Sequence, residues 1–276
     1  MPADLHIHTS FSDGTDSPEE IVELAKKNGL TTIAITDHDV TAGIEPAQKK
    51  GKELGIEVIS GIELTTELPD TEVHILGYFI DQQHPRLIEV ITRIQEGRKE
   101  RIVKICEKLR EQGIEILPEE VFDLAGHYCA GRPHVARALI KKGYIRTFKE
   151  AFIKYIGFKG PAYVPHYKLS PAEAIKLINE VGGLAVFGHP ALSKCDHLIP
   201  DFVAAGLAGI EVFYSSHSES ETKHYLELVK KYGLAATGGS DYHGSNGGRL
   251  SELGQIKLDD QWVKGLKDEH IRRNKS

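Results

Sequence analysis

The chain reads as an α/β protein, a mostly parallel sheet covered by helices and closed into a barrel or left open, with an all-helical insertion. Three observations predict this. Short apolar, β-branched runs alternate with amphipathic helical segments up to about residue 80 and again after Tyr167. Between them, from about 81 to 165, helical patterns follow one another and no convincing strand intervenes. Histidines and acids recur where the apolar runs stop. Residues 1–80 and 166–276 are therefore assigned to the sheet-bearing unit and 81–165 to the insertion.

The first strand is expected over Ala3–His8, where a side-chain period of two puts His6 and His8 on one face. Asp13 follows in a Ser/Gly loop. Asp16-Ser17-Pro18-Glu19-Glu20 then opens a helix, with Ser17 as cap and Glu20 at the third position, running to about Asn28. Leu30–Thr36 reads as a strand ending in Asp37-His38-Asp39, and Ile44–Leu54 as a helix stopped by Gly55. Glu57–Leu64 and Glu72–Tyr78 read as strands joined by a short turn. Within the insertion, Arg86–Gln112 is a long, heavily charged helix that reads as a solvated face, followed by helices near 118–125, 133–142 and 147–155. Alternation then resumes: helix Ser170–Val181, strand Leu184–Pro190, helix Leu198–Ala205, strand Gly209–Tyr214, helix Glu219–Tyr232 and strand Leu234–His243. A short strand at Gln255–Leu258 and a helix through Trp262 and Leu266 complete about seven strands.

Composition narrows the function. The 276 residues carry 34 Lys and Arg against 40 Asp and Glu, a formal charge of −6 that argues against wrapping duplex DNA. Cys106, Cys129 and Cys195 have no paired spacing, which predicts a reducing compartment and no disulfide framework. No apolar run approaches membrane-spanning length and the N-terminus enters a strand almost at once, so neither a membrane span nor a signal peptide is expected and the protein is assigned to the cytoplasm; no obligate protein partner is evident. Neither a Gly-x-Gly-x-x-Gly turn after the first strand nor a phosphate loop ending Gly-Lys-Ser/Thr is present.

The strand ends carry the chemistry. His6, His8 and Asp13 belong to the first, His38 to the second and Glu63 to the third. His74 lies in the strand after it, His189 closes the first strand beyond the insertion, and Asp241 and His243 close the last. In parallel α/β architectures such ends meet at one mouth. Nine imidazoles and carboxylates exceed the needs of one tetrahedral ion and suffice for two or three if a carboxylate bridges, with Glu63 the natural bridge. Mixed N/O ligation without thiolate fits Zn, Mn or Fe. Such ions generate a hydroxide near neutral pH and stabilise phosphoryl oxygens.

His6-x-His8, Asp13-Gly14, Thr36-Asp37-His38, Gly61-x-Glu63, Gly188-His189-Pro190 and Ser240-Asp241-x-His243 resemble the motif series of the PHP (polymerase and histidinol phosphatase) family. The resemblance spans nearly the whole chain, and none of the nine candidate ligand positions departs from it. It implies a distorted seven-stranded (β/α)7 TIM-like barrel with a two- or three-metal site. It further implies that one ion takes His6, His8, Glu63 and Asp241. A second shares Glu63 and adds His74 and His189, and a third takes Asp13, His38 and His243. Gly131-Arg132-Pro133-His134 and Gly160-Pro161-Ala162-Tyr163-Val164-Pro165 resemble the stand-alone bacterial branch. Enzymes of that branch remove the 3′-phosphate from nucleoside 3′,5′-bisphosphates, and some trim short RNA from its 5′ end.

The expected activity is therefore hydrolysis of a phosphate monoester by metal-bound hydroxide, with Asp241 and Glu63 in the catalytic site. The partner is a small phosphorylated nucleotide or short single-stranded RNA. Arg132, beside a helix start in the insertion, is the first choice for gripping phosphate, because guanidinium matches its geometry. His134, Lys159, His166 and His217 are weaker choices. His217, just past a strand end, is also a candidate proton donor to the leaving oxygen, and Tyr163 and Tyr214 are candidates to stack on a base. Histidinol phosphate as substrate, a non-catalytic metal-stabilised module and an amide or lactone hydrolase are the alternatives.

Overall fold

The computed structural model describes residues 2–68, 71–126, 129–245 and 251–275. Its elements, in chain order, are β1 (Ala3–Asp4), α1 (Pro18–Lys27), β2 (Thr32–Ile35), α2 (Ile44–Leu54), β3 (Glu57–Leu68), β4 (Thr71–Tyr78), α3 (Pro85–Glu111), α4 (Pro118–Leu124), α5 (Arg132–Lys141), α6 (Phe148–Ala151), α7 (Pro171–Glu180), β5 (Leu184–Phe187), α8 (Pro190–Ser193), α9 (Ile199–Ala204), β6 (Gly209–Tyr214), α10 (Glu219–Tyr232), β7 (Ala235–Gly239) and α11 (Asp260–Asn274). The seven strands stand side by side in chain order. Past β1 the chain bonds to the chain at the end of β7, through Leu5 N–H to Gly238 O at 3.2 Å and Asp241 N–H to His6 O at 2.9 Å. The sheet thereby comes round nearly to closure, a distorted TIM-like barrel.

Sequence chemistry accounts for the boundaries. Ser17, Ser170 and Ser218 each accept from the backbone three residues on while a Glu reaches back, the reciprocal box that starts α1, α7 and α10. Gly55 and Gly233 end α2 and α10 in the left-handed conformation. Alternation along the strands splits the interior. Ile33 and Ile35 pack outward into the large core under the helices, whereas Ala34 joins Ala3, Leu5, Leu76, Tyr78 and Val186 in a smaller cluster completed by Leu258, Val263 and Leu266 of the tail. The insertion has its own apolar cluster, from Ile102 to Val164.

Four details differ from the expectation. β4 runs antiparallel to both β3 and β5, because two residues between Leu68 and Thr71 cannot make the crossover that a parallel pair requires. The first strand is regular only over Ala3–Asp4. Beyond it the Thr36 hydroxyl takes the Ile7 N–H at 3.0 Å, and Ile7 keeps an isolated bridge to Tyr242. The tail strand reduces to a single antiparallel bridge between Leu258 and Ala3. Finally, α3 is not a solvated face throughout: Arg98 and Arg101 are buried on its inner side, together with Leu87, Ile94 and Ile102. Among the described residues no helix is long and apolar enough to cross a membrane.

Candidate metal centre

Glu63 stands at the middle of the mouth, 1% exposed, on the strand that all its neighbours face. Its Oε2 lies 3.3 Å from His6 Nε2, 3.1 Å from His8 Nε2 and 3.1 Å from His38 Nδ1. Its Oε1 lies 2.6 Å from His74 Nδ1 and 3.0 Å from His189 Nε2. Five imidazoles thus converge on one carboxylate. Asp241 Oδ1 adds contacts of 3.2 Å to His8 and 3.5 Å to His6, and Asp13 Oδ1 lies 3.2 Å from His243 Nε2. His74 joins from a strand of opposite direction, because the antiparallel register sets it across from Thr65, two residues beyond Glu63.

The backbone is bent to make this possible. Asp39, His189 and Asp241, each just past a strand, hold positive φ values of 52°, 25° and 55°, a conformation that costs on the order of 1–3 kcal/mol apiece outside glycine. Gly239 lets β7 lie directly against His6: a Cβ there would sit 2.4 Å from the His6 nitrogen. The candidate side chains are held from behind. Glu211 accepts from His6 Nδ1 at 2.9 Å, Tyr214 donates to Asp241 Oδ2 at 2.7 Å, and Arg137 donates to the Asp13 carbonyl at 2.5 Å.

These residues fit divalent cations. Three groups bring one donor atom each to within 4.8 Å of the others: His6, His8, Glu63 and Asp241; His8, Asp13, His38 and His243; and His38, Glu63 and His74. The inward atoms His6 Nε2, His8 Nε2, Glu63 Oε2 and His243 Nε2 are buried and lack a hydrogen-bond partner, which is costly unless a cation takes them. Protonation agrees. Burial holds His8 and His189 down at about 4, and His38 well below its ordinary value, so all three are neutral ligand-form imidazoles near pH 7. Burial opposes ionisation of Asp13 and Glu63, but the surrounding imidazoles outweigh it and hold both carboxyls well below the usual range. His6 departs from the pattern. Burial disfavours its charge, yet Glu211 and Glu63 raise it to about 10.

A cavity of about 200 Å³ opens beside this cluster, between the barrel mouth and the insertion. Asp13, His38 and His74 line one side, and Arg98, Arg101, Arg132 and His166 line the other. Arg132 is therefore placed at the cavity, paired with Glu72, which also holds Lys168. His134 is not in the lining: it is 1% exposed, and its Nδ1 accepts from Gly131 N–H at 3.1 Å. Lys159 is absent from the lining too, in a turn with φ of 70°. His217 lies behind the site, its Nδ1 on Val212 O at 2.9 Å and its ring packed between Tyr214 and Tyr225. Tyr163 is turned to Glu67 at 2.9 Å.

Sequence reading missed Arg98, Arg101, Glu72, Lys168 and Glu211. Arg98 is tied to Asp39 and to Thr65 Oγ1 at 3.0 Å. Arg101 Nε donates to Val164 O at 2.6 Å, while its Nη2 is buried without a partner. Burial and the adjacent Arg132 lower Arg101 to about 10. The i, i+3 spacing of these arginines on the apolar side of α3 was the available signal.

Comparison with known proteins agrees with this geometry. Residues 4–159 match the PHP domain family. The chain is 34% identical over 265 residues to the phosphoribosyl 1,2-cyclic phosphate 1,2-diphosphodiesterase of Eggerthella lenta, covering 92% of this chain and 98% of that one. It is 35% identical over 257 residues to the 3′,5′-nucleoside bisphosphate phosphatase of Chromobacterium violaceum, covering 89% of each. The solved structure of an amidohydrolase from Chromobacterium violaceum, with bound sulfate and no metal, superposes with a TM-score of 0.88 at 31% identity, over 97% of this chain and 96% of that one. With barrel, acid-and-imidazole cluster and sequence likeness in agreement, the chain belongs to the PHP-domain family and is a metal-dependent phosphoesterase.

Proposed function

We propose that the substrate is a small phosphorylated nucleotide, foremost a nucleoside 3′,5′-bisphosphate losing its 3′-phosphate, and that two or three Mn, Zn or Fe ions serve the reaction. One observation carries this: Asp13, His38 and His74 of the acid-and-imidazole cluster and a set of buried cations line the same cavity, which is too small for a duplex. Likeness to a bisphosphate phosphatase supports it.

When bound, the ions supply an activated water and charge for the phosphoryl oxygens. His6, His8, Glu63 and Asp241 would hold the first. Glu63 with His74 and His189 would hold the second, and Asp13, His38 and His243 the third. Glu63 would serve both of the first two, a reading supported by its two oxygens facing different histidines. Across the cavity, Arg101 offers a buried N–H with no partner, and Arg132 and Lys168 carry charge now balanced by Glu72. These three grip the phosphate that is not cleaved, which orients the other toward the cluster. Arg98 contributes field more than a free hand, being committed to Asp39.

The test is phosphate release from nucleoside 3′,5′-bisphosphates, histidinol phosphate, 5′-phosphorylated short RNA and a phosphoribosyl cyclic phosphate. Turnover fastest on the bisphosphate, abolished by chelation and restored by Mn, is the expected result. Preference for histidinol phosphate over every nucleotide overturns the substrate reading, and indifference to chelation overturns the chemistry. Arg101→Met should raise KM for the bisphosphate by roughly ten- to a hundredfold, the range for losing a hydrogen bond to a charged group. Its kcat, and its KM for a simple monophosphate, should change little.

A further inference from the structure

Glu211 is an acid on β6 that is fully buried and absent from every ligand group above. Its two oxygens are both engaged, and on different sides of the cluster. Oε1 lies 2.9 Å from His6 Nδ1. Oε2 accepts the backbone N–H of His189 at 2.7 Å. The His6 and His189 rings lie nearly parallel, 17° apart with centroids at 5.7 Å, and both direct their Nε2 atoms at Glu63. His189 is also one of the residues held at positive φ, so an acceptor on its N–H fixes the strained turn that aims its ring.

We propose that Glu211 is a positioning residue that sets two ligands of the metal cluster at once, the ring of His6 and the turn carrying His189. With a carboxylate on Nδ1, His6 keeps its proton there and presents the Nε2 lone pair inward. That is the tautomer a cation on the Glu63 side requires. Because one carboxylate serves both residues, loosening it disturbs the ion held by His6 and the ion held by His189 together. Glu63 meets the two rings at Nε2 from within the cluster, whereas Glu211 holds the two residues from behind, at His6 Nδ1 and the His189 backbone N–H. The inference rests on the cluster binding metal, as proposed above.

Glu211→Gln is isosteric, but its amide nitrogen faces one of the two N–H donors and cannot accept from it. Affinity for Zn(II), measured by competition with a colorimetric chelator at a temperature where wild type and variant are both folded, should fall about ten- to a hundredfold. The number of ions retained per chain after dialysis should fall with it. A purely structural Glu211 would lower the melting temperature of the metal-free protein and leave the competition curve in place. Variant affinity within about twofold of wild type would therefore overturn the proposal. Should the variant not fold, long-range 15N–1H NMR of Zn-loaded wild type decides: Nδ1 of His6 protonated with Nε2 ligated supports it, and ligation through Nδ1 overturns it. A wild type that binds no Zn(II) or Mn(II) would instead remove the metal reading itself.

Discussion

Glu63→Gln should lower phosphate release by about a thousandfold or more, the largest loss expected from any single substitution in this protein. The carboxylate sits 2.6–3.3 Å from five imidazole nitrogens, and its two oxygens serve different ones. A glutamine keeps one acceptor and turns the other into a donor. That donor would point at either His74 and His189 or at His6, His8 and His38, whose ring lone pairs are the ones needed for ligation. The negative charge that Glu63 would share between neighbouring cations goes as well, and their mutual repulsion would rise in a site with little water to screen it. Elemental analysis should show at least one ion per chain lost, with far-UV circular dichroism unchanged. A variant retaining both metal content and activity within about tenfold would show that Glu63 does not bridge.

Much of this cluster was legible because most of its members are His, Asp or Glu at or just past the end of an apolar run, and the barrel gathers such ends whatever lies between; His74, inside β4, is the exception. The helices were legible for a similarly local reason: Ser17, Ser170 and Ser218 write their own caps, and Gly55 and Gly233 their own stops. What stayed hidden depends on distant packing. Arg98 and Arg101 look like any other charges on a long polar helix until α3 is laid over the mouth. Glu211 sits inside an apolar strand, where an acid signals burial but not its partner, and that partner is 205 residues away. His217 shows the converse. Its place just past a strand end predicted the mouth, yet the turn after β6 returns Nδ1 to Val212 and puts Tyr214 in front of it.

Arg98→Met should destabilise the protein by about 3–5 kcal/mol, the usual result of leaving one member of a buried ion pair without its partner. The Arg98 side chain is 10% exposed and that of Asp39 fully buried. Asp39 Oδ2 takes the guanidinium, Oδ1 accepts Thr65 N–H at 3.1 Å, and the Asp39 carbonyl accepts from Gln95 at 2.9 Å. One acid thus joins α3 of the insertion to β3 of the barrel, next to His38, from a residue whose own backbone is strained. Methionine matches the volume of the arginine stem but leaves the carboxylate facing apolar groups, so the cost comes from Asp39, not from lost packing. Asp39→Asn should be destabilising for the complementary reason, and the double variant should cost less than the sum of the two because neither stranded charge remains. Thermal melting should fall by roughly 10 °C for Arg98→Met and recover in part when Asp39→Asn is added. Additive losses would mean that the two side chains are neighbours without being coupled.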